Sequence, residues 1–295
     1  MTKEEGHFKD RKEPLYGRQT AALSVRPFET SVLRRILADH APRRTPDDLL
    51  ALWAFTGGVA KYVELLMDAG AVGREAMIDE LVGADSFFLA EGRAALVEEF
   101  GKDYGTYFSI LSAIAQGRTA RSDIASALGR DPGGHLARLE ADYGLVAPRR
   151  PLFASPGEKN VRYAFDDEFF RFWFRFVHRH AYLLEIRGND RLREIVRRDW
   201  PVFSGLALER WHREALVESG RFTRIGGWWD RNGENEIDIV AADDATKTAS
   251  FFEVKRAARR YSPASLERKR DAFLRATGKF RGWRLTCAPL ERPQP

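Results

Sequence analysis

Two short segments in the last third of the chain, 235–241 (NEIDIVA) and 250–255 (SFFEVK), alternate apolar and charged residues. That is the period of a β-strand, whose successive side chains point to opposite faces of a sheet. In the first, Ile237 and Ile239 are expected on one face, with Glu236 and Asp238 on the other. In the second, Phe252 and Val254 take one face and Glu253 and Lys255 the opposite one. Asp230-Arg231-Asn232-Gly233 supplies hairpin turn chemistry between 222–229 (FTRIGGWW) and the first segment. If the two charged strands are neighbours, Asp238, Glu253 and Lys255 converge on one side of the sheet. The helical segment 200–220 (WPVFSGLALERWHREALVESG) then adds Glu209 near the same spot. A helix over 262–277 and a last strand over 280–286 complete an α/β tail with a central mixed sheet, expected over residues 187–295.

Carboxylates gathered at a sheet edge repel one another, and left unpaired and partly buried they cost several kcal/mol. A divalent cation removes that repulsion, and hard oxygen ligands suit Mg2+ or Mn2+. Such a cation lowers the pKa of a bound water and stabilises charge on a phosphoryl oxygen. A lysine beside it can orient that water or neutralise the pentavalent transition state. Together these are the parts needed for phosphodiester hydrolysis. For Glu209 the competing reading is a solvent-face residue pairing within ERWHRE. Glu236 reads either as an acid supporting the ligands from behind or as an ordinary surface residue, the latter preferred.

The order of a helical Glu209, then Asp238, then Glu253-Val254-Lys255 resembles the PD-(D/E)XK nuclease superfamily, in its resolvase-like and restriction-like forms. The resemblance implies that Glu209, Asp238 and Glu253 are metal ligands and that Lys255 is the catalytic lysine. Ile237 stands where many members have a proline, and no glutamine follows on the next helix, so that accessory role is not carried over. DNA is the implied substrate. A nuclease cutting both strands needs two sites, which a homodimer supplies. The alternative is a non-catalytic DNA-binding or regulatory module.

The first two-thirds read as mainly helical. Thr30 can cap 31–40, and 45–70 looks like two helices broken at Gly57-Gly58. From residue 101 the pattern becomes three helices (106–117, 122–129 and 135–144) and two short strands (145–153 and 160–165), a winged helix-turn-helix. Arg130, His135 and Arg138 are the candidate major-groove readers. Arg118 and Arg121 precede the second helix, and Arg149, Arg150, Lys159 and Arg162 decorate the wing. The competing reading is a winged domain that packs against neighbouring domains. The aromatic helix 167–185 (DEFFRFWFRFVHRHAYLLE) is expected to dock through Phe169, Phe172, Trp173 and Phe176, and 187–200 to be a linker helix. The expected partition is therefore 1–100 helical, 101–186 winged helix with its docking helix, and 187–295 nuclease-like. The fold class is α+β multidomain.

Phe55-Thr56-Gly57-Gly58-Val59-Ala60-Lys61-Tyr62, the PLYGR-T segment, RYAFDDEFFRFWFRF and FSGLALER together resemble the C-terminal two-thirds of a prokaryotic AAA+/STAND-type ATPase family. That resemblance implies a lid-like first region and an Arg18 near nucleotide in an intact member. A surface arginine beside a turn glycine is the plainer reading of Arg18. The phosphate loop G-x-x-x-x-G-K-[ST] is missing at Gly101-Lys102-Asp103 and Gly278-Lys279-Phe280. No ATP site is expected in this chain, and an ATPase half would be a separate polypeptide or one lost by truncation. Formal charge is +5 over 295 residues, permissive of nucleic acid. A lone Cys287 fits a reducing cytoplasm and excludes an internal disulfide. A charged N-terminus and the lack of a long apolar run argue against a signal peptide or a membrane span.

Overall fold

The computed structural model describes residues 25–155 and 157–294. The segment 14–28 reads from its sequence as a loop and a short strand ending at Pro27; residues 14–24, and Arg18 with them, lie outside the described residues, and 25–28 form no strand. The described chain is mixed α+β, and its contacts divide it into two compact units that take chain segments out of order. One holds 81–149 and 162–195; the other holds 28–80, 150–161 and 196–295. No described helix is long and apolar enough to cross a membrane.

The first unit contains α5 (Phe87–Phe100), α6 (Tyr104–Ala115), α7 (Arg121–Leu128) and α8 (Gly133–Ala141). A two-stranded antiparallel ribbon follows, β1 (Val146–Arg149) paired with β2 (Arg162–Phe165). The aromatic helix starts as α9 (Glu168–Phe172), with Asp167 accepting from the Phe170 N–H. It continues through a π-helical turn, Trp173–Val177, to α10 (Ala181–Glu185). Phe169, Phe172, Trp173 and Phe176 are all buried, as the sequence pattern expects. Trp173 donates to the Leu89 carbonyl at 3.0 Å.

In the second unit come α1 (Thr30–His40), α2 (Pro46–Thr56), α3 (Ala60–Asp68) and the start of α4 (Arg74–Val82). Thr45 and Asp48 close α2 with a reciprocal capping box. Gly57 and Gly58 separate α2 from α3 with φ of 59° and 79°. At Gly58 a Cβ would lie 2.6 Å from the Phe28 carbonyl oxygen, so only glycine fits. Thr30 does not cap α1. It is the first helical residue, and its N–H and hydroxyl donate to Glu218 at 2.7 and 2.6 Å, so a distant carboxylate serves that end.

The linker helix and the helix after it are one element, α11 (Asn189–Glu218), with Pro201 inside. A proline removes one helical hydrogen bond and crowds the preceding turn. Here Trp200, Phe203, Ala207, Leu208 and Trp211 are buried around it, and apolar burial keeps the helix going.

The four-stranded sheet has the order β3-β4-β5-β6, from β3 (Arg224–Trp229), β4 (Glu236–Asp243), β5 (Thr248–Val254) and β6 (Arg284–Leu290). The first three strands are antiparallel; β6 runs parallel to β5, and the crossover carries α12 (Pro263–Thr277). Trp228, Ile237, Val240, Ala242, Ala249 and Phe251 form one core with Leu266, Phe273 and Phe280. Strict alternation fails in β4. Gly226 pairs with Val240 but Trp228 with Ile237, so Gly227 alone opposes Asp238 and Ile239. This bulge moves Ile237 into the cluster with Val240 and Ala242, whereas alternation pairs it with Ile239.

Asp47, in the first turn of α2, gathers the charges of this unit. It accepts from Arg256 at 2.8 and 3.1 Å, from Arg74 at 2.8 Å and from the Trp200 indole at 3.4 Å, with Arg292 at 3.5 Å. Arg256 also donates to Ser204 and lies over the Trp200 ring. Asp47→Asn leaves three guanidinium groups without their shared counter-charge. We expect a loss of about 2–4 kcal/mol in urea unfolding, more than breaking an exposed pair such as Arg224–Asp244 would cost.

Candidate functional site

The end of the sheet where β4 begins and β5 finishes gathers the residues singled out above. Ile239 pairs with Phe252, so Asp238 and Glu253 are the next positions outward on adjacent strands. The Asp238 carboxylate accepts from the Val254 N–H at 2.7 Å, which fixes it against β5. Lys255, directly after β5, donates its own N–H to Leu290 and places its ammonium 3.0 Å from Glu253 Oε1. Lys269 of α12 reaches the same oxygen at 3.2 Å. Glu253 is 7% exposed, and its other oxygen, Oε2, is buried with no hydrogen-bond partner.

Electrostatics tie Glu209 to this group. Burial pushes its carboxyl up to about 8, and repulsion from Asp238 and then Glu236 adds to the rise, against Arg213 and Lys255. Burial also raises Asp238; the Val254 N–H, Lys255 and Lys269 oppose the rise, and Glu253 adds to it. For Glu253, burial pushes upward too, but Lys255 and Lys269 outweigh it and hold the carboxyl below its usual range. The acids are thus pushed in opposite directions, Glu209 and Asp238 upward and Glu253 downward.

Among the described residues, no three His, Cys, Asp or Glu side chains are drawn together closely enough to hold a metal ion. The donor chemistry nevertheless fits a hard cation. Glu253 Oε2 is an orphan acceptor, and burial, with like-charge repulsion added, already raises Glu209 and Asp238 above the usual carboxylate range. Glu236, for which the sequence reading preferred a surface position, is half-buried and repels Glu209. One neighbour escaped that reading. Lys269 pairs with Glu253 from the basic run ERKR, where nothing separates one cation from the next until the helix is docked.

The nine candidate DNA contacts fall into different settings, and Arg162 is half-buried at the start of β2. Arg121 is paired with Asp131, and Arg149 with Asp166. Arg138 is paired with Asp142 and lies over the rings of Tyr107 and Tyr143. Arg130 donates to Thr106, and His135 is half-buried against Tyr107. Arg118, Arg150 and Lys159 are exposed. The loop carrying Arg150 and Lys159 packs on the sheet unit: Leu152 N–H donates to Gly227 at 2.8 Å, Phe153 meets Phe273 and Phe280, and Asn160 accepts from Trp229 at 2.9 Å.

The half-buried Glu209 carboxyl gives a signed pH dependence. Its folded pKa lies above the ordinary 4.5, so the folded state holds the proton more tightly. Its contribution to stability therefore falls as pH rises from about 4.5 to about 8, then levels off. Glu209→Gln removes that penalty. Urea unfolding at acid and alkaline pH should show the variant gaining on the parent by on the order of 2–4 kcal/mol across this window. A constant difference at all pH values would count against the half-buried position.

Residues 173–266 match the family described as "Archaea bacterial proteins of unknown function", a span that contains Glu209, Asp238, Glu253 and Lys255. The chain is also 30% identical over 254 residues to an uncharacterized protein of Methanocaldococcus jannaschii, covering 83% of this chain and 55% of that protein. The chain thus spans about half the length of that curated relative. No solved structure matches this chain.

Proposed function

We propose that this chain is a metal-dependent DNA nuclease whose site is Glu209, Asp238, Glu253 and Lys255, with Mg2+ or Mn2+ as the cation. The observation that carries the reading is the buried, partnerless Oε2 of Glu253 beside Asp238, with Lys255 at 3.0 Å from the other oxygen. The element order α11, β3, β4, β5, α12, β6 supports the finer reading of the tail as a PD-(D/E)XK nuclease-like domain. Three helices followed by the β1–β2 ribbon support a winged helix in the first unit.

Asp238 and Glu253, with Glu209 once it loses its proton, are the residues to hold the cation. When bound, it would supply an activated water and neutralise charge building on a phosphoryl oxygen. The Val254 N–H keeps Asp238 from rotating away, so the carboxylate is oriented in advance. Lys255 positions the attacking water or the equatorial phosphate oxygens. In the reaction, water adds to phosphorus, the bridging P–O bond breaks, and the departing oxygen takes up a proton. Lys255 and Lys269 share Glu253 Oε1, so Lys269 keeps that oxygen paired when the Lys255 ammonium turns to substrate.

A second reading has its own support. Two lysines already satisfy Glu253 Oε1, and no described three-residue donor set is closed, as in a non-catalytic DNA-binding or regulatory module. Such a module would partner a separate phosphate-loop ATPase chain, in keeping with the lid-like pattern at 55–62. Incubation with branched and linear DNA plus Mg2+ or Mn2+ separates the two readings. Cleavage is expected, falling at least about 100-fold in Asp238→Ala and Lys255→Ala while DNA binding persists. Cutting that survives both substitutions would reject this site, and intact DNA with the parent protein would favour the module. A homodimer is expected if both strands are cut, read by sedimentation.

A further inference from the structure

Positive charge is concentrated in one stretch of this chain. Residues 255–284 hold eleven Lys or Arg against two Asp or Glu, an excess of nine, while the whole chain is only +5. The remaining residues are therefore net acidic, at −4. Part of this charge is already committed: Lys255 and Lys269 to Glu253, Arg256 to Asp47, and Arg270 to Asp271. Arg259, Arg260, Arg268, Arg275, Lys279, Arg281 and Arg284 are exposed.

Topology sorts these exposed cations into two groups. β6 runs parallel to β5, with Arg284 beside Thr248 and Leu290 beside Val254. The crossover must therefore start at the Glu253 end of the sheet and return to the Thr248 end. Arg259 and Arg260 lie in the short turn Ala258–Arg260, between Lys255 and α12, and Arg268 is the neighbour of Lys269. Arg281 and Arg284 lie at the far end. Exposed guanidinium groups beside a phosphodiester site gain most from a polyanion that continues past the reacting bond, because each phosphate contact releases condensed counterions.

We infer that Arg259, Arg260 and Arg268 grip the phosphates of duplex DNA on either side of the bond presented to Glu253 and Lys255. The position of that bond rests on the hydrolytic reading; the grip itself does not. Phosphate contacts of this kind are sequence-independent, so the chain recognises a DNA backbone here and not a base sequence.

The test measures binding of a short fluorescein-labelled duplex by anisotropy, with EDTA present so that nothing is cut. Salt is varied between about 50 and 200 mM. Arg259→Ala/Arg260→Ala/Arg268→Ala is compared with the charge-matched Arg275→Ala/Arg281→Ala/Arg284→Ala, both checked for unaltered circular dichroism. The first should lose at least about tenfold in affinity, and its slope of log K against log salt should flatten by about 2–3. Lysine at the same three positions should restore the slope, since phosphate needs only the charge. Equal losses in both triple variants, an unchanged slope in the first, or tighter binding of an RNA duplex of the same sequence would overturn the assignment. A parent protein that grips DNA in this way but cuts nothing would sink the hydrolytic reading and leave this one standing.

Discussion

Charges taken out of water must be compensated by one another, and the unit that holds the sheet meets this demand twice. At Asp47 one carboxylate serves Arg74, Arg256 and Arg292. At Glu253 one carboxylate serves Lys255 and Lys269. Arg256 follows Lys255 in the chain, so the two clusters share the short segment leaving β5. The segment is held by Asp47 of α2 on one side and by Glu253 on the other. A helix from the first third of the sequence thereby fixes the backbone next to the candidate lysine. Buried ion pairs add little net stability but make alternative arrangements costly, which suits a site whose geometry must be held.

The same accounting applies to three of the cations of the first unit. Arg121, Arg138 and Arg149 each face an acid of their own unit, and Arg138 is also spread over two aromatic rings. A cation already paired gains less from phosphate, because the old partner must be given up. The loop at 150–161 uses its apolar residues, Leu152 and Phe153, to pack beside β3 and α12, as an element that docks on its neighbours does. In the basic stretch after β5 the balance is reversed, with cations exceeding acids more than fivefold.

Periodicity alone revealed the strands, the hairpin at 230–233 and the helices of the first unit, because each depends on residues close in sequence or on a period of two. The neighbourhood of β4 and β5 that brings Asp238 towards Glu253 was only a condition. The bulge at Asp238–Ile239 was not legible. It arises where Gly227 packs under the strand, a Cβ there coming within 3.3 Å of the Asp238 carbonyl oxygen. Nor was the continuity of α11 through Pro201, since local propensity points to a break and only burial of Trp200 and Phe203 overrides it.

The sequence by itself determined which residues could do chemistry: three acids and a lysine in a fixed order, on elements whose type follows from their pattern. Tertiary structure decided what state those residues are in. It half-buried Glu209 where Asp238 and Glu236 repel it, brought Lys269 onto Glu253 from a helix that folds back after the sheet strand, and joined residues 28–80 to 196–295 through Asp47. The reason is that burial and electrostatic coupling depend on distances between segments far apart along the chain, which no local pattern encodes.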